Sequence, residues 1–318
     1  MDFGVINMLK IYKTTNFENK IKKIKRMSAD SWIDLTNPTR EEINRVSEKA
    51  NINSDLITKM LDADELPRIE FDTNATLIVI DTPLISEERE YITHPLGIII
   101  TKSNYIITVS TRKIDILDDF KKNIVSDFKT AKKTRFVIQI FIKTINKYLR
   151  ILKEINKDID EKEDVLKKST ENEDLIDLLA IEKTLVYFIT SLKENSVVLN
   201  KLKNGNVITL YEGDADLLDD AIIEMNQAID MATIYRDILS SITDTYATIV
   251  SNNLNNVMKF LAGMTIVLSI PTIISSFLGM NVKFGFIGIN EYSAIIIFIG
   301  SIILSIIVAI WLKKKDML

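Results

Sequence analysis

Residues 260–282 read FLAGMTIVLSIPTIISSFLGMNV, twenty-three positions without a charged side chain. As a helix the stretch is long enough to cross about 30 Å of hydrocarbon. Residues 292–312 form a second such run, nearly all Ile, Leu, Val, Ala and Ser, and only Lys283 and Glu291 carry charge between the runs. Two closely spaced spans at the end of a charged chain set the reading of everything before them.

Outward from the spans, charge gives the orientation. Lys259 precedes the first run, and Lys313, Lys314 and Lys315 follow the second. The positive-inside rule places both chain ends in the cytoplasm and the short loop outside, with Trp311 at the inner interface. The expected organisation is a cytoplasmic α/β domain over 1–212, a stalk helix over 213–259, spans at 260–282 and 292–312, an external loop at 283–291 and a basic tail at 313–318. In fold-class terms this is an α+β cytoplasmic domain with a long stalk helix and two C-terminal transmembrane helices.

The 318 residues carry a net charge of −4, no cysteine and one histidine, His94. Disulfides and thiolate metal sites are excluded, and one histidine cannot build a zinc site alone. No nucleophile–base pair can be assembled, so an enzyme is not expected. Nothing in the charge pattern points to nucleic acid.

The first 110 residues mix strand and helix patterns. Ser31-Trp32-Ile33-Asp34-Leu35 alternates like a strand, and Thr39 to Ala50 reads as a helix with a Thr39/Glu42 capping box. Leu77–Ile80, Gly97–Ile100 and Tyr105–Val109 are β-branched apolar runs suited to the centre of a mixed sheet, with Ser103-Asn104 as the turn between the last two. Amphipathic helices are expected from Thr134 to about Lys168 and from Asp174 to Leu202. Another should begin near Gly213-Asp214 and run to Leu278, roughly 100 Å if unbroken.

That last helix carries a second pattern. Asp237, Ser241, Asp244, Thr248, Ser251, Asn255, Met258, Ala262, Thr265, Ser269, Thr272 and Ser276 follow steps of four and three, a heptad-like seam. The seam is small and polar where a coiled coil is apolar, and large residues flank it (Ile238, Ile242, Ile249, Leu254, Leu261, Leu268). One reading is a ring of parallel helices around an aqueous channel, since lipid offers no partner to a polar row. The other is that each hydroxyl bonds its own helix or one neighbour. In the channel reading, Met258 and Leu261 form an apolar gate that closes by dewetting, and Asp237 and Asp244 form acidic rings favouring cations. No ionisable group lies inside either span. Hydroxyls and amides suit a cation that keeps its water, as Mg²⁺ does.

Several segments resemble the CorA family of divalent-cation channels. They are Gly279-Met280-Asn281 after the first span, Trp311-Leu312-Lys313-Lys314-Lys315 at the end, Asn255-Asn256-Val257-Met258-Lys259 before the span, and Glu65–Glu70, His94–Ile99 and Ile106–Val109 in the soluble part. The resemblance implies a funnel-shaped homopentamer in a prokaryotic cell membrane, passing Mg²⁺ and with it Co²⁺ or Ni²⁺. It implies a first span that lines the pore through Asn255, Met258, Ala262, Thr265, Ser269, Thr272 and Ser276, and a filter at Gly279, Met280 and Asn281. Gly279 is expected to permit the backbone geometry there.

The resemblance further implies gating by cytoplasmic Mg²⁺ on carboxylates between subunits. The candidates are Asp216, Asp219 and Asp220, beside Asp214 on the stalk, and Glu87 and Glu88. The chain departs from the family pattern with Leu278 before the glycine, Glu291 as the sole external acid for cation recruitment, and Lys283, which opposes cation capture. Two alternatives stay open at this point: a Zn²⁺ transporter of the same superfamily, and a membrane-anchored coiled-coil scaffold or sensor that transports nothing.

Overall fold

A seven-stranded mixed sheet organises the first part of the chain. The computed structural model describes residues 9–15, 20–86, 90–166, 172–204, 207–211, 213–280 and 292–315. The strands are β1 (Leu9–Thr14), β2 (Ile21–Ile24), β3 (Trp32–Thr36), β4 (Arg68–Phe71), β5 (Ala75–Ile85), β6 (Tyr91–Thr101) and β7 (Ile106–Ser110), in spatial order β2-β1-β3-β7-β6-β5-β4. Only β3 and β7 pair in parallel. The other neighbours are antiparallel.

Helices α1 (Arg40–Ala50) and α2 (Asp55–Thr58) separate β3 from β4, and α3 (Ile116–Lys121), α4 (Lys133–Leu166) and α5 (Asn172–Asn204) follow β7. Helix α6 (Asp214–Leu278) and helix α7 (Ser293–Lys313) complete the chain. Two compact units emerge, Met1–Ser241 and Ile242–Leu318.

Both faces of the sheet are buried, which is why its central strands read as continuous apolar runs rather than alternations. Ile33, Leu35, Leu77, Val79, Ile99, Ile107 and Val109 join Ile43, Val46, Leu56, Ile57 and Met60 in one core. The opposite face holds an aromatic cluster. Trp32 is fully buried, meets Phe136 edge-on at 5.1 Å and donates from Nε1 to Thr108 Oγ1 at 2.9 Å. Thr108 in turn donates to Asp34 at 3.1 Å, and Asp34 pairs with Lys121 at 2.8 Å.

Local expectations hold closely. Both halves of the α1 capping box form: the Glu42 N–H donates to Thr39 Oγ1, and the Thr39 N–H to Glu42 Oε2 at 3.0 Å. The other Glu42 carboxylate oxygen accepts from the Leu9 N–H at 3.0 Å, tying β1 to the start of α1. Asn104 takes the left-handed conformation the β6–β7 turn needs, with φ of 67°. The β3 strand is one residue later than the alternation suggests, ending at Thr36.

Candidate functional site

Helix α6 begins after Gly213, whose φ of 81° is the left-handed turn that starts it. Asp214, in its first turn, is buried and accepts from Arg135 at 2.8 Å. Leu218, Ala221, Met225, Ala228, Ala232 and Leu239 continue a buried face in steps of three, four and seven.

The polar seam lies elsewhere on α6. Asp237 and Asp244 are exposed, and Asp237 is bonded by its chain neighbour Arg236 at 2.7 Å, which offsets part of its charge. Asn255, Ala262, Thr265, Thr272 and Ser276 are exposed and Ser269 is half-buried. Met258 and Leu261, the expected gate, are 58 % and 53 % exposed.

In the second unit, α6 buries a different set. Gly263 is buried, and Val267, Ile270, Pro271, Ile274 and Leu278 are half-buried. The only other described element of that unit is α7, whose buried residues Ser301, Ser305 and Leu312 also fall on one face. Small residues four apart allow two helices to approach closely in lipid. With 3.6 residues per turn, this packed face and the seam are centred roughly 160° apart around α6. The remaining surface of α7 is large and apolar, with Ile295, Ile296, Ile299, Ile303 and Ile307 all exposed. Both helices are long and apolar enough to cross a membrane.

The seam hydroxyls bond their own helix. Thr265 donates to the Leu261 carbonyl at 2.8 Å, Ser269 to Thr265 at 2.7 Å, Thr272 to Leu268 at 3.1 Å and Thr248 to Asp244 at 3.0 Å. The local reading of these hydroxyls is therefore realised. It leaves their lone pairs facing outward, because only the proton is committed.

At the far end, the Gly279 N–H bonds the Ser275 carbonyl at 3.0 Å and the Met280 N–H that of Phe277 at 3.4 Å, so the last turn tightens and stops. Gly279 is not among the residues with positive φ. A Cβ there would meet the Ser275 and Ser276 carbonyls at 3.4 and 3.6 Å. Gly279 directly follows Leu278, the last residue of α6, and its backbone is not left-handed. Asn281, Lys283 and Glu291 lie outside the described residues, as do Glu87 and Glu88.

The remaining regulatory candidates share the first turns of α6. Asp219 pairs with Lys203 at 2.7 Å, while Asp216 and Asp220 are exposed. Among the described residues no three carboxylates or histidines gather around one point. The packed face through Gly263 escaped the sequence reading. Its signal was the spacing of Gly263 on one helix and of Ser301 and Ser305 on the other.

Residues 29–314 match the family described as CorA-like Mg²⁺ transporter protein. The chain is 30% identical over 262 residues to the cobalt/magnesium transport protein CorA of Methanocaldococcus jannaschii, covering 80% of each. It is 23% identical over 329 residues to the protein of the same description from Thermotoga maritima, covering 96% of this chain and 88% of that one. The complete structure of the CorA magnesium transporter from Methanocaldococcus jannaschii is similar throughout. Its TM-score is 0.85 at 26% identity, over 97% of this chain and 98% of that one.

Proposed function

The chain belongs to the CorA family, and from that premise we propose that it is a Mg²⁺ channel that admits Mg²⁺, with Co²⁺ or Ni²⁺, passively into the cytoplasm of a prokaryotic cell. Five copies surround one axis, with α6 inside and α7 against the lipid. The observation that carries this reading is the opposition of two faces on one helix. One face of α6 in the second unit is wholly or partly buried, and the polar seam is left on the other side. A polar row in a bilayer needs water or protein, and a water-filled axis supplies it.

The hydroxyl geometry fits the cargo. A Mg²⁺ ion holds its first waters tightly and presents their hydrogens outward. Thr265, Ser269 and Thr272 have committed their own protons to the helix and offer acceptor oxygens. They can bind the outer hydrogens of a hydrated ion without stripping it. An inside-negative potential contributes about 2.3 kcal/mol per charge per 100 mV, so a divalent ion gains about twice that.

Other residues take the roles their positions allow. Met258 and Leu261 close the pore as an apolar ring that dries. Asp237 and Asp244 hold cations near the inner mouth. Gly279, Met280 and Asn281 form the outer mouth, and Glu291 recruits ions to it. Cytoplasmic Mg²⁺ shuts the channel through carboxylates among Asp216, Asp219, Asp220, Glu87 and Glu88.

The test is Mg²⁺ uptake into liposomes containing the purified protein and a Mg²⁺-sensitive dye, under an inside-negative potential. Wild type should load the vesicles and Asn281→Ala should not. No uptake by wild type, with internal Mg²⁺ removed, would overturn the reading.

A further inference from the structure

Strand β5 runs past the end of β4, whose first residue Arg68 pairs with Val79. Two residues later Asp81 stands opposite Pro95, a position whose alternation turns the Asp81 N–H and C=O away from β6. Helix α5 supplies the partners. Asn195 accepts from the Asp81 N–H through Oδ1 at 2.9 Å and donates to the Asp81 carbonyl through Nδ2 at 2.8 Å. One turn earlier on α5, Ser191 donates to the Asp81 carboxyl at 2.6 Å. All three residues are buried.

The carboxyl has no compensating cation. Among the described residues no ion pair forms to Asp81. From α5 it faces Ser191, Asn195 and the like charge of Glu194, and from α4 the buried Tyr148, whose hydroxyl donates to the Asp81 carbonyl at 3.5 Å. From β6 the neighbour of Pro95 is His94, which turns its ring to Thr111 at 2.8 Å and feels Arg112. Burial is the main influence on the Asp81 carboxyl, opposed by the Ser191 bond and assisted by Glu194, and it raises the pKa to about 6. A charge in such a place is costly, because desolvation is repaid by one hydroxyl alone.

We propose that Asp81 is a proton-operated latch between β5 and α5. As a neutral acid it lies comfortably among Ser191, Asn195 and Tyr148 and holds the helix down. As an anion it becomes an unbalanced buried charge, and α5 opens more readily to admit water. The firmness of α5 on the sheet therefore follows cytoplasmic acidity. The inference does not depend on the conduction reading.

Hydrogen exchange on the full-length protein in lipid nanodiscs, at pH 5 and pH 8 with intermediate points that define the midpoint, tests it. After correction for the intrinsic exchange rate, amides of α5 between 185 and 200 should exchange about tenfold more slowly at pH 5 than at pH 8, the ratio that linkage gives for a carboxyl raised from 3.8 to about 6. In Asp81→Asn the protection should be the same at both values. Ser191→Ala keeps the carboxyl but removes the bond that holds its pKa down, so the midpoint should move up. Equal corrected protection in wild type, a response that survives in Asp81→Asn, or an unmoved midpoint in Ser191→Ala overturns the proposal. If Asp81→Asn does not fold, the wild-type and Ser191→Ala measurements decide.

Discussion

Ser269 donates its hydroxyl proton to the carbonyl of Thr265, 2.7 Å away, while Thr265 donates its own to Leu261 at 2.8 Å. Each hydroxyl is thus an acceptor toward whatever lies beside the helix. Thr265→Leu should cut Mg²⁺ uptake into liposomes by tenfold or more, since it replaces an acceptor with a bulky apolar group. Ile303→Leu on the exposed face of α7 should leave uptake unchanged. Uptake undiminished in Thr265→Leu would remove this seam from the conduction path.

Lys121 is half-buried beside two carboxylates, Asp34 at 2.8 Å and Asp118 at 3.1 Å, with the ring of Trp32 5.7 Å away. Burial alone would lower its pKa, and Asp34 and Asp118 more than reverse that, so the net direction is upward. Asp34→Ala strips the more buried partner of Lys121 and the acceptor of the buried Thr108 hydroxyl, and with Asp118 still in place should destabilise the protein by about 1–3 kcal/mol. Thermal unfolding followed by circular dichroism would measure it.

A methyl group at Gly97 would lie 2.6 Å from Cγ and 2.9 Å from Sδ of the fully buried Met60. Gly97→Ala should therefore cost about 1–3 kcal/mol through overpacking. Shortening the neighbour with Met60→Val in the Gly97→Ala background should recover part of the loss. A double-mutant cycle in denaturant, with strictly additive costs, would argue against the clash.

His94 is the only histidine and is 4 % exposed. Burial first, and Arg112 second, lower its pKa to about 4. The unfolded chain therefore binds the proton more readily between the ordinary histidine value and about 4. By linkage, the stability this neutral ring provides is present above about pH 6.5 and is lost as pH falls through the folded value. Melting temperatures across pH 4 to 7 should decline more steeply on acidification in wild type than in His94→Gln.

What could be read from the sequence follows the range of the interactions. The Thr39/Glu42 box spans three residues and formed as expected, and the helix from Asp214 to Leu278 ends where apolar length and Gly279 suggested. The central strands announced themselves because both faces are apolar. Strands β1 and β2 did not, because Lys10, Lys13, Lys22 and Lys23 break their hydrophobic pattern, and pairing rather than burial defines them. The bonds from Asn195 to Asp81 cross 114 residues, and no local spacing encodes them. The seam was visible because its period is fixed by one helix. The buried face through Gly263 was hidden because no charged or polar repeat marks it.

Both margins of the sheet are short. At one side β2 is four residues long, carries Lys22 and Lys23, and gives its Ile21 N–H to Asn123 at 2.7 Å. At the other, β4 is equally short, and the overhanging stretch of β5 spends its outward bonds on Asn195. Short margins with lysines and side-chain-bonded outward groups disfavour edge-to-edge aggregation and strand exchange.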